Sequence, residues 1–137
     1  MAVVLDTGVV VAIMDRRDAN HEAVVAWLQT FDDDLVTTPL TLAEMDHFAF
    51  RVGGQYAVEQ LWGDLDRGAY GVRWWRDGLR DTLDIVRHHP QVGLVDASLV
   101  ALASVLDTTR IATTDQRHFR SLSTVSGDPF ILLPADA

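Results

Sequence analysis

The segment AVVL at residues 2–5 carries no charge and no polar side chain, and it stops abruptly at Asp6. A strand with one wet face alternates apolar and polar residues, so an unbroken apolar run marks a strand covered on both faces. LVTT (35–38), RIATT (110–114) and FILL (130–133) are similarly short and poor in charge, and YGVRW (70–74) is a further strand candidate. Between them, apolar residues recur at helical spacing. Val24, Trp27, Leu28 and Phe31 line one helix face; Met45, Phe48, Ala49 and Val52 line another; Leu99, Leu102, Ala103 and Leu106 line a third. Shorter helices are expected over Val9–Met14, Gln55–Leu65 and Leu79–Val86, with Gly53 and Gly54 separating two of the helical segments. Such alternation predicts an α/β fold with three α/β/α layers around a mostly parallel central sheet. One domain over residues 1–137 is the natural expectation for this length.

The composition narrows the chemistry. There is no cysteine, which removes disulfides, thiolate metal sites and thiol nucleophiles. All eleven basic residues are arginine and none is lysine. A phosphoacceptor receiver or an aspartyl-phosphate phosphatase needs a lysine against the phosphoryl group, and a P-loop needs GK[ST]. Neither can be built here. The net charge of −9 argues against broad, nonspecific attraction to nucleic acid. The longest apolar stretch, Val9–Met14, is far too short to cross a bilayer. With no basic, apolar leader at the start, a cytoplasmic protein is expected.

Four acids stand near expected helix starts: Asp6, Glu44, Asp96 and Asp115. Each has an ordinary explanation. Asp6 and Asp96 can cap helices, Asp115 can cap a turn, and Thr41-x-x-Glu44 reads as a capping box. As a set they suggest more. Asp6 and Asp115 directly follow strands, at the edge where parallel sheets bind ligands. Carboxylates gathered in one pocket repel, and a divalent cation resolves the conflict. An oxygen-only donor set points to Mg²⁺ or Mn²⁺. Spacing alone does not show that the four side chains meet.

In VVLDTGVVVAIMD, TTPLTLAEMDHFAFRVGG, VGLVDASLVALASVLDTTRIATTDQRHF and the trailing FILLP, the chain resembles a PIN domain of the VapC toxin type, from end to end and in order. The resemblance implies a Mg²⁺- or Mn²⁺-dependent endoribonuclease that hydrolyses RNA to a 5′-phosphate and a 3′-hydroxyl, with tRNA or rRNA as substrate. Asp6, Glu44 and Asp96 would then hold the metal, directly or through water. Asp115 would complete the acidic pocket, and Thr113 would orient a carboxylate. A VapB-like antitoxin and a homodimer are the implied partners. The chain departs from the family pattern at Gly8, where serine is frequent, and at Gln116, where many relatives have another acid.

Arg73, Arg76, Arg80 and Arg87 recur beside Trp74 and Trp75. On one helix face such a stripe would track an RNA backbone. The competing reading is a solvated face with Arg73–Asp77 and Arg80–Asp84 pairs, and it is the favoured one. Among the histidines, His47 is the one expected near Glu44, and it is read as a bystander. Asp46 points away from Glu44 on a helix and is not expected to bind metal. The alternative to an enzyme is a PIN-like module that binds RNA or protein without cutting.

Overall fold

The computed structural model describes residues 1–137. Strands β1 (Ala2–Leu5), β2 (Asp34–Thr37), β3 (Gly71–Val72), β4 (Arg110–Ala112) and β5 (Ile131–Leu133) form one sheet, in the order β3-β2-β1-β4-β5. All four strand pairings are parallel. The helices are α1 (Thr7–Met14), α2 (His21–Thr30), α3 (Pro39–Asp66), α4 (Gly78–His88), α5 (Leu94–Val105) and α6 (Gln116–Arg120).

β1 lies at the centre and serves both faces. Val3 and Leu5 join the core formed with Val10, Val24, Met45 and Leu61 of α1, α2 and α3. Val4 points the other way, into Leu99, Leu102, Phe119 and Leu132. This period of two explains why β1 has no polar residue: neither face meets water. The α/β/α architecture expected from the strand composition is the one observed, with the sheet fully parallel.

The strand order locates the crevice. From β1 the chain passes through α1 and α2 to β2 on one side. It later returns through α4 and α5 to β4 on the other. The carboxyl ends of β1 and β4 therefore flank the point where the order reverses, where open α/β sheets bind their ligands.

Three local expectations are corrected. First, 70–74 is not a full strand. Only Gly71 and Val72 pair, and the last ladder bond runs from Arg73 N–H to the Thr37 carbonyl, 2.9 Å. Trp75 then turns inward and donates Nε1–H to Asp81, 2.9 Å. The helix starts only at Gly78, so Arg73 and Arg76 lie before it and share no helical stripe with Arg80 and Arg87. Second, the α3 N-cap is Thr38, whose hydroxyl accepts from Thr41 N–H at 3.3 Å. Thr41 is inside the helix, so Glu44 closes no capping box and its carboxylate is free of the helix start. Third, α6 was not expected, because five residues are too few to display a period.

The Gly53–Gly54 break is real but does not separate two independent helices. Gly54 takes φ +62°, ψ −152°, a region essentially confined to glycine, where a β-carbon costs about 1–3 kcal/mol. Across the kink, Trp62 Nε1–H donates to Asp46 at 2.8 Å, which ties the two halves together.

Candidate active site

Asp6 is the first residue after β1 and the N-cap of α1. Its backbone N–H still belongs to the sheet, donating to the Ala112 carbonyl at 2.9 Å. Its side chain is nearly closed off, 6% exposed. Oδ1 accepts from Thr7 N–H at 2.8 Å, and Oδ2 accepts from the Thr113 hydroxyl at 2.7 Å. Thr113 follows β4, and its oxygen also accepts from Asp115 N–H at 2.9 Å. One threonine thus couples the two acids that end neighbouring strands.

Glu44 and Asp96 come from helices and need a separate clamp. The Thr38 hydroxyl lies 2.8 Å from Ser98 Oγ and 3.1 Å from Thr41 Oγ1, and all three residues are fully buried. Ser98 also donates to the Val95 carbonyl at 2.6 Å. These hydroxyls lock the start of α3 to the start of α5. Asp96 occupies the first turn of α5, whose N-cap is Gly93, so its carboxylate faces the positive end of the helix without capping it.

The result is an open cavity of ≈ 420 Å³ lined by Asp6, Glu44, Asp96, Asp115, Asp18 and His118, with Thr7, Gly8 and Thr114 at its wall. Volume is not its distinction, since a cleft of ≈ 560 Å³ lies between Phe31 and Tyr70. Its distinction is the number of anionic groups on one opening.

Electrostatics record the crowding. The Asp6 carboxyl is pushed up from 3.8 to about 6. Burial is the main cause, and the charges of Asp96 and Glu44 add to it, while the Thr113 and Thr7 hydrogen bonds oppose it. Asp96 is raised too, first by burial and then by Asp115 and Glu44, with His118 acting in the opposite direction. Two carboxyls that resist ionisation at one opening form a site that a cation stabilises.

The donor set fits a divalent ion. The Asp96 and Asp115 carboxylates and the His118 ring offer ligand atoms that all lie within 4.8 Å of one another. Asp6 and Glu44 face the same cavity but stand outside that trio. Thr7, 4% exposed, has a buried hydroxyl oxygen without a partner.

The structure therefore brings all four acids and Thr113 to one place. Arg73, Arg76 and Arg80 do not line this cavity. Arg80 pairs with Asp77 at 3.0 Å, and Arg87 lies 3.8 Å from Asp84. Both pairs are i, i+3, not the i, i+4 pairs expected. His47 is exposed, packs edge-on to Phe48 and does not itself line the cavity. The histidine at the site is His118, whose Nδ1 lies 2.8 Å from Asp115 and 3.4 Å from Asp96. The signal for it was present in DQRHF. Asp115 is the N-cap of α6, accepting from His118 N–H, and three residues on is the distance at which a capped helix returns a side chain to its start.

Comparison with known proteins identifies the family. The PIN domain family model matches residues 3–124. The chain belongs to the PIN domain family. This PIN domain is 30% identical over 135 residues to Ribonuclease VapC26 of Mycobacterium tuberculosis, covering 96% of this chain and 99% of that protein. Its fold matches the crystal structure of VapC20, a sarcin-ricin loop cleaving toxin of M. tuberculosis, with TM-score 0.77 at 16% identity, over 84% of this chain and 91% of that one. The crystal structure of VapBC2 from Rickettsia felis, bound to a DNA fragment from its promoter, aligns with TM-score 0.65 at 14% identity, over 96% and 97% of the two chains.

Proposed function

We propose that this PIN domain is a Mg²⁺- or Mn²⁺-dependent endoribonuclease and the toxin of a toxin–antitoxin pair, acting in the cytoplasm on structured RNA such as tRNA or rRNA. The observation that carries the reading is the convergence of Asp6, Glu44, Asp96 and Asp115 on one cavity at the switch point of the sheet. The names of the similar proteins, Ribonuclease VapC26 and a loop-cleaving VapC20, support the same chemistry. A surface that only bound RNA would gain nothing from a cluster of anions that repels the phosphate backbone.

Asp6, Glu44 and Asp96 would hold the ion, directly or through water, with Asp115 completing the pocket. When bound, the ion supplies positive charge for the scissile phosphate and Lewis acidity for its displacement. The chain supplies the aim. Thr113 and Thr7 N–H fix both oxygens of Asp6, so only its outward lone pairs face the cavity. The Thr38–Ser98 contact sets the distance between the helices bearing Glu44 and Asp96. The openness of the cavity leaves room for an RNA strand.

A VapB-like antitoxin is the proposed partner, and a −9 chain suits a cationic tail laid over the acids. A second copy of the chain is the other. Phe50, Tyr56 and Leu79, which are 60%, 74% and 55% exposed, are apolar side chains available for such contacts.

The test is incubation of RNA with the purified protein in Mn²⁺ or Mg²⁺, comparing wild type with Asp6→Asn and Asp96→Asn. Cleavage is expected to fall at least about 100-fold in both variants, within the range seen when a group that stabilises transition-state charge is removed. It should stop in EDTA. Undiminished cleavage in EDTA defeats the reading, and RNA binding without cleavage in any metal favours the non-catalytic module.

A further inference from the structure

We propose that His118 is a direct ligand of the divalent ion, so that the coordination shell contains one imidazole nitrogen and this site selects Mn²⁺ over Mg²⁺. The proposal rests on the metal-dependent reading above and adds a residue and a preference to it.

Three observations carry it. The ligand atoms of Asp96, Asp115 and His118 already lie within 4.8 Å of one another, a spacing that one ion with bonds of about 2.0–2.2 Å bridges with little adjustment. No other group of three or more potential ligands in the chain is so placed, Asp6 and Glu44 included. The ring also stands beside both carboxylates, its Nδ1 2.8 Å from Asp115 and 3.4 Å from Asp96. His118 lies on the first turn of α6, its N–H bound to the Asp115 carboxylate at 3.3 Å, so backbone and side chain of one loop present nitrogen and oxygen together. Finally, the trio lines the same cavity as Asp6 and Glu44, so a cation seated on it faces four carboxylates at one opening.

The selectivity follows from donor softness. Mg²⁺ is a hard ion that demands oxygen donors and holds its waters. Replacing one carboxylate or water oxygen by imidazole nitrogen favours a first-row transition ion over Mg²⁺.

Half of the His118 side chain is exposed, and its two ring contacts are to the carboxylates themselves, so its replacement leaves the core intact. The measurement is electron paramagnetic resonance of Mn²⁺ added to the full-length protein, with pulsed detection of nitrogen coupling, beside competition by Mg²⁺. Wild type is expected to show one directly bound ¹⁴N. In His118→Ala that coupling vanishes, Mn²⁺ affinity falls by about 10–100-fold or more, and Mg²⁺ affinity falls less. Mn²⁺ bound by wild type without nitrogen coupling, or an unchanged Mn²⁺/Mg²⁺ ratio in His118→Ala, overturns the role of His118 and leaves the metal site standing. Failure of wild type to bind Mn²⁺ at all, or full binding by Asp96→Asn, overturns both.

Discussion

The residue with the largest conflict is Asp6. Its carboxyl is raised from 3.8 to about 6, which corresponds to about 3 kcal/mol of preference for the neutral form. A group with a raised folded-state pKa contributes stability that is complete below the unfolded value, about 4, and is lost as pH rises through about 6. At pH 7.5 in EDTA, Asp6→Asn is therefore expected to be more stable than wild type, by up to about 3 kcal/mol. Thermal melts at pH 4 and 7.5 check this: the advantage should shrink at the lower pH, and a variant less stable at pH 7.5 contradicts the argument. Gly8 offers a second test. A β-carbon there would sit 2.2 Å from Thr114 Oγ1, so the glycine exists to admit that threonine into the cavity wall. Gly8→Ala should cost about 1–3 kcal/mol through overpacking. In the double variant with Thr114→Ala much of that loss should return, as denaturant titration of the four proteins will show. The departure from serine at this position is thus compensated in space by a hydroxyl from a different strand end.

At the scale of elements, the site depends on how two helices start. α3 and α5 are joined at their first turns by Thr38, Thr41 and Ser98, none of which touches the cavity. Losing one of these buried hydroxyls leaves its partner unsatisfied, at about 1–3 kcal/mol. Ser98→Ala should lower the denaturation midpoint and, by letting Glu44 and Asp96 drift, reduce RNA cleavage more than it reduces RNA binding. Equal loss of both would point to unfolding instead. The double glycine of α3 is a separate element-level device. Gly54→Ala forces a side chain into φ +62°, ψ −152° and should cost about 1–3 kcal/mol without changing cleavage, because the kink lies beyond the turn that bears Glu44.

For the whole molecule, the acidic cavity is a tension that a bound cation would relieve. The chain carries −9 overall and gathers several of those charges at one opening. A divalent ion that binds only the folded state should stabilise it by about 2.7 kcal/mol at a hundredfold excess over its dissociation constant. Melting temperature should rise with added Mn²⁺ in wild type, return in EDTA, and stay flat in Asp96→Asn. A flat response in wild type would mean that the cavity tolerates its own repulsion.

The alternation of strands and helices, the two-sided burial of β1 and the candidacy of the four acids were legible in the amino-acid sequence. Those features are local: an uncharged run, a helical period and a carboxylate at a strand end are each defined by near neighbours in the chain. Three things were decided only by the tertiary structure. The region from Arg73 to Arg87 loses its arginine stripe because Trp75 turns to the core and delays α4. The Thr38–Ser98 clamp joins residues 60 positions apart. The Thr113–Asp6 bond joins residues 107 apart, and His118 of α6 meets Asp96 of α5 at 3.4 Å. A one-dimensional pattern records what each side chain is. Which ones meet depends on the strand order, since it is the reversal at β1 that sets β4 beside it and turns two distant carboxylates into neighbours.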